Sequence, residues 1–303
     1  MVVSIVIPKS ACHVRSASFP SVSHPLMLRI EKKLKELRGS LPSSPGGTVE
    51  SLCDGLRGLA DLLESVQESL QSPFARQALV HGRQDKWVDE VLDGSLTLLD
   101  VSGTTRDVLL QMKEEMQTVQ STLRRRKNAE LDLEGSIAAY MFSRKTVNKV
   151  IHKCLGDVKR MERTQYSTSS VLDKNQDLVV MASMLKEVEG IALILLDSIL
   201  SFIAAPKTRT GWSLVSKLIM YNRRSACEPE LMVANEVDKI DLALCALTGR
   251  RSSCKESDVV NLQNVQKCLK VLEMRMGSLD DCLECVFRHL IKTRVSLLNI
   301  LNQ

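Results

Sequence analysis

Aromatic side chains make up only 3% of the 303 residues, as two Trp, three Tyr and five Phe. So few stacking platforms argue against reading single-stranded nucleic acid or holding sugars. Charge of one sign is also thin: a net +5 is spread along the chain, whereas a nucleic-acid-binding domain gathers its basic residues on one face. No nucleic-acid partner is expected. A membrane-spanning helix needs roughly 20 mostly apolar residues. The strongest candidate, IALILLDSILSFIAA at 191–205, is shorter and contains Asp197, so it reads as a buried core helix. VVSIVI at 2–7 is stopped by Pro8, which leaves no h-region of secretory length. The nine cysteines are scattered without a small-domain framework and read as reduced thiols in a cytosol-like compartment.

Catalytic signatures are missing too. The chain has no P-loop, no dinucleotide glycine fingerprint, no HExxH and no GxSxG, and its five histidines assemble no Ser/His/Asp set. Neither enzymatic activity nor a cofactor is expected. CLEC with His289 spaces Cys282, Cys285 and His289 at i, i+3, i+7 along one helix stripe. A structural zinc site usually takes four ligands, some of them from turns, and no second CxxC exists. These residues flank an apolar seam and are read as packing residues. Asp93, Asp100 and Asp107 recur every seven residues and read as an outward or interhelical charge row, with no His or second carboxylate cluster to complete a metal site.

What the chain does have is helix. Leu, Met, Glu, Lys, Gln and Arg dominate most segments, and all favour helix over sheet. Residues 1–24 carry Ser, His and two Pro without periodicity, the mark of a flexible leader. Helical spacing starts at Leu26 and runs through Ile30, Leu34 and Leu37 towards Gly39. LPSSPGG at 41–47 is a linker by composition. A second helix is expected over about 48–71 with Thr48 or Ser51 near its cap, and a short third after Ser72–Pro73. Two long helices follow, over about 85–125 and 129–166, with LRRRKN at 123–128 as the solvated tip between them. Gly94 and Gly103 are read as sites of close helix contact or a kink. STSS at 167–170 is the next break, and helices follow over 177–205, 212–223 and 229–247.

The last helix has the cleanest pattern. Val265, Leu269, Leu272, Met276, Leu279, Leu283, Val286, Leu290, Thr293, Leu297 and Ile300 alternate spacings of four and three. This is a coiled-coil-like seam. Antiparallel packing within the chain is its first reading, and the seam from Leu269 to Leu290 is the candidate contact for a partner helix or a second copy.

RSASFP at 15–20 is the one short motif that suits signalling. Arg15 stands three residues before Ser18 and Pro20 two after it, with Ser16 between. That spacing suits a basophilic kinase, and the product R-S-x-pS-x-P matches the phosphopeptides that 14-3-3 proteins bind. The other readings are an organelle transit peptide, since the segment is Ser-rich and basic and no carboxylate precedes Glu31, and a plain tail with no docking or targeting role.

HVRSASFPSVSHPL at 13–26, VLDGSLTLLDVSGTTRDVLLQMKE at 91–114, LRRRK at 123–127 and AAYMFSRKTVNKVIHK at 138–153 resemble the plant BYPASS-related family. The likeness runs from His13 through the C-terminal heptads. It implies a helical protein associated with root and shoot development, with no catalytic activity, cofactor or site residue to carry over. Two departures stand out: Ser102 where the family has Cys, and Phe19 where Leu is usual.

Together these readings predict an all-α, elongated bundle of seven or eight mostly long helices over 25–303, preceded by the flexible leader at 1–24. Its expected role is that of a cytoplasmic, non-enzymatic interaction or regulatory protein, with a 14-3-3 protein as a partner through phosphorylated Ser18. Plastid import, peripheral membrane association or trafficking, and an enzyme of unknown class are the alternatives.

Overall fold

In a computed structural model the chain is described over residues 25–41, 47–125, 130–165, 176–204, 235–248 and 255–303. The described residues form eight helices and no strands: α1 (Pro25–Ser40), α2 (Val49–Leu70), α3 (Pro73–His81), α4 (Lys86–Arg124), α5 (Glu130–Gln165), α6 (Gln176–Ile203), α7 (Glu236–Thr248) and α8 (Lys255–Leu301). The leader, the 212–223 segment, the STSS break and most of the linker after α1 lie outside the described residues.

Helix starts follow local chemistry. Thr48 accepts a hydrogen bond from the Ser51 amide at 3.3 Å and Ser72 one from Ala75 at 3.2 Å, with Pro73 opening α3. Each cap supplies an acceptor to an amide that the first turn leaves free. Of the helix expected over 229–247, residues 229–234 lie outside the described residues, and the described helix runs from Glu236 with Asn235 as its cap. The Asn235 side chain accepts from the Asp238 amide at 2.8 Å and donates to the Phe202 carbonyl at 2.7 Å. The last helix begins at Lys255, ahead of its first clean seam residue, Val265. Its 47 residues make a rod of about 70 Å.

Four helices close a ring in which each packs on two neighbours: α8 on α2 and α4, and α6 on the same pair from the other side. Side-chain bonds set their directions. Arg294 to Ser95 (2.7 Å), Arg106 to Asp280 (3.4 Å) and Gln120 to Glu273 (2.8 Å) run α4 antiparallel to α8. Gln111 to Ser143 (3.0 Å) and Thr122 to Ser136 (3.3 Å) make α4 and α5 the antiparallel hairpin expected around the basic tip. Outside the ring, α1 flanks α2 and α6, α3 touches α6 and α8, and α7 bridges α5 and α8.

The interior is aliphatic. Leu52, Leu56, Leu59 and Leu62 of α2, Met112 and Met116 of α4, and Leu193, Leu195 and Ile199 of α6 have no exposed surface. Close approach is built in where glycine faces a neighbour. A Cβ on Gly55 would lie 2.6 Å from Leu195 Cδ2, and one on Gly94 would lie 2.7 Å from the Glu189 carboxyl carbon. Gly94 thus marks a tight α4–α6 contact. Gly103 does not, since nothing lies within 4 Å of the place its Cβ would take. No described helix is long and apolar enough to cross a membrane.

Candidate functional site

Leu269, Leu272, Met276, Leu279, Leu283, Val286 and Leu290 are all buried, none above 5% exposed. Their four-three spacing turns them to one side of α8, and that side is covered by α2 and α4 of the same chain. A partner helix laid into the seam would have to displace one of those two. The seam's polar members behave differently. Thr293 is buried with no partner for Oγ1 among the described residues, whereas Arg106 of α4 reaches Asp280 and Glu284 across the seam's edge and lies 5.7 Å over the Phe287 ring.

Arg15, Ser16, Ser18 and Pro20 lie outside the described residues. Asp93, Asp100 and Asp107 are exposed along α4. The CLEC stripe separates into different environments. Cys285 is exposed, while half-buried Cys282 is hydrogen-bonded to Cys53 of α2. Burial first, and then Cys282, pushes the Cys53 thiol up to about 12, so it stays protonated at physiological pH. Among the described residues no three His, Cys, Asp or Glu side chains converge as metal ligands.

The most elaborate polar arrangement was not anticipated. It lies where α5, α6 and α7 meet. Arg144 is 3% exposed, yet it carries a guanidinium. Its Nε and Nη2 donate to the Asp241 carboxylate at 3.0 and 2.9 Å, and Nη1 donates to the Ile203 carbonyl at 2.8 Å, the last residue of α6. Tyr140, one turn earlier on α5, donates its hydroxyl to the same carboxylate at 2.8 Å. Burial, followed by the Asp241 charge, pushes the Tyr140 phenol well above its ordinary value, so it remains a donor. The same two causes raise the thiol of Cys245, one turn along α7 from Asp241.

One sequence signal pointed there. Ile137, Tyr140, Arg144, Val147, Ile151, Cys154 and Val158 are a second buried four-three stripe, and Arg144 is the one charge in it. A cation at a core position requires an anion, but Asp241 is 97 residues away along the chain and spacing could not name it. In chemical terms the cluster is a lock: every donor found on it is given to an acceptor of the same chain, and it ties the end of α6 to α5 and α7.

The LDGSLTLLDVSGTTRD block is likewise a packing surface. Gly94 receives the Glu189 carboxylate, Leu92 and Ser95 accept from Arg294, and Thr105, with no exposed surface, gives its hydroxyl to the Val101 carbonyl at 2.7 Å. Ser102 is also fully buried, and its hydroxyl has no partner among the described residues. A thiol at this position would be a packing group.

Residues 55–300 match the family model described as Protein BPS1. No curated protein and no solved structure matches the chain. The matched span takes in α3 through α7 whole, α2 from Gly55 on and all but the last residue of α8, so it covers most of the ring, the Arg144 lock and the 91–114 block together. On that coverage the chain belongs to the BPS1 family, the BYPASS-related proteins of plants.

Proposed function

We propose that this protein is a non-enzymatic regulatory adaptor in plant root and shoot development, which presents its leader as a phosphopeptide to a 14-3-3 protein in the cytoplasm. The observation that carries this reading is the RSASFP motif, with Arg15 and Pro20 correctly placed about Ser18, ahead of a rigid helical bundle. Phosphate at Ser18 adds close to two negative charges for an arginine cluster to grip, and a proline two residues on turns the chain out of the groove. The Arg144 lock supports a scaffold role, because its charge is committed to Asp241 and Ile203 rather than held for a substrate.

The test is mass spectrometry of residues 1–31 of the protein from plant cells, joined to 14-3-3 capture of wild type and Ser18→Ala. An intact leader phosphorylated at Ser18, with capture lost in the variant, is the expected result. A chain beginning near Leu26, or capture that ignores the substitution, overturns the reading.

A further inference from the structure

The outward face of α5 carries cations in a row. Several described cations elsewhere find carboxylates, among them Arg29 with Glu68, Arg38 with Glu187, Arg57 with Asp54, Lys186 with Glu90, Arg275 with Glu50 and Glu236, and Arg288 with Glu284. On α5, Lys145, Lys149, Lys153 and Lys159 are exposed and make no ion pair among the described residues. Only Arg160 is neutralised there, by Asp157 at 2.8 Å.

Helical geometry gathers these groups. At 3.6 residues per turn Phe142, Lys145, Lys149, Lys153 and Arg160 fall within a sector of about 80°, in a stripe about 27 Å long. His152 and Lys159 border it on one side and Val150 on the other. The opposite side of α5 holds the buried stripe from Ile137 to Val158, so this face is held outward by packing against α4 and α6. Phe142 is 72% exposed, the most exposed large apolar residue described, and Val150 is 40% exposed.

We propose that the outer face of α5 docks the protein onto an anionic phospholipid surface. Charge complementarity selects the occupant class: unpaired lysines in a row are drawn to acidic headgroups. The bare phenyl ring selects a bilayer over other polyanions. An aromatic ring inserts at the headgroup boundary while lysine stems lie along it with their ammonium groups towards phosphate. A single ring supplies no run of stacking platforms for nucleic-acid bases. This docking is peripheral and salt-sensitive, and it is independent of the leader.

The experiment is flotation of the full chain with vesicles of phosphatidylcholine alone or with added phosphatidylserine, in 0.15 M salt. The wild type should float with the anionic vesicles, stay behind with the neutral ones and be released by 1 M salt. Each lysine near an anionic surface strengthens binding about fivefold, so K145Q/K149Q/K153Q should weaken it about a hundredfold. These exposed substitutions should leave the helical circular-dichroism signal unchanged, and Phe142→Ser should weaken binding severalfold with all charges in place. The proposal is overturned if the wild type ignores anionic vesicles, or if the lysine variant floats as well as wild type. It is also overturned if RNA captures the chain in a lysine-dependent way while Phe142→Ser changes nothing. Ser18→Ala should not alter flotation, so this result and 14-3-3 capture fail separately.

Discussion

The four-helix ring and the α5–α7 corner bury polar groups in opposite ways. In the ring, the hydroxyls of Ser69, Ser102 and Thr293 are buried with no partner among the described residues. At the corner, the Arg144 guanidinium, the Tyr140 phenol and the Asp241 carboxylate satisfy one another within 3.0 Å. The difference follows from what each group costs to dry. An unpaired hydroxyl costs about 1–3 kcal/mol on protein scales, which a large aliphatic interior absorbs. An unpaired buried cation costs more than most domains can spare, so Arg144 cannot exist there without Asp241.

The comparison breaks most completely if charge is forced into the ring. Leu279 and Leu283 have no exposed surface, and replacing both with Asp buries two carboxylates with no cation supplied for either. The expected result is loss of the cooperative thermal transition by circular dichroism, since each uncompensated carboxylate costs several kcal/mol. A variant that stays folded and monomeric while the wild type is a dimer on sedimentation would reassign the seam to a contact between copies.

At the corner, removing one partner should be nearly as damaging. Asp241→Ala leaves Arg144 charged and buried, at a cost of about 3–5 kcal/mol in urea unfolding. Tyr140→Phe removes one neutral donor from a carboxylate that keeps its cation, and should cost about 1 kcal/mol. Replacing the pair together, as Arg144→Met with Asp241→Leu, should recover most of the loss, because apolar groups of similar volume carry no charge to bury. A double variant no better than Asp241→Ala would mean that the Ile203 carbonyl contact, rather than the ion pair, holds the corner.

Close approach inside the ring gives a smaller effect. Gly55→Ala puts a methyl 2.6 Å from Leu195 Cδ2, and Leu195 is itself fully enclosed. The α2–α6 spacing must then give, at about 1–3 kcal/mol. Gly103→Ala meets nothing within 4 Å and should stabilise α4 by up to about 1 kcal/mol through helix propensity. Paired melts of the two variants should therefore move in opposite directions.

Helix existence and the buried face of α8 were legible in the sequence because both are periodic. A four-three spacing of Leu and Met carries its own meaning wherever the chain goes next. The caps at Thr48 and Ser72 were legible for the same local reason. The lock was not, because its two halves belong to different helices and only the fold brings them together. Arg144 is a charge on an apolar stripe that the sequence reading passed over, and Asp241 looks like any other carboxylate on a short helix. Cys282 was grouped with Cys285 and His289 by spacing, while its actual neighbour, Cys53, comes from the other end of the chain. The outer face of α5 was hidden by the dilute net charge: +5 over the whole chain says nothing of four lysines on one helix that make no ion pair among the described residues.

A second stabilising change is expected inside the ring. Ser102 is fully buried and its hydroxyl has no partner among the described residues, at a position where the family resemblance leads one to expect Cys. A thiol is a weaker hydrogen-bonding group and behaves as a small hydrophobe, so Ser102→Cys removes most of the cost of drying the hydroxyl at nearly constant volume. The expected gain is about 1 kcal/mol in urea unfolding, and Ser102→Ala should gain less because it leaves a void where the sulfur would pack. If Cys and Ala stabilise equally, the site rewards only the loss of a polar atom. If Cys destabilises, the hydroxyl is satisfied in solution, and the ring resembles the corner more closely than its contacts suggest.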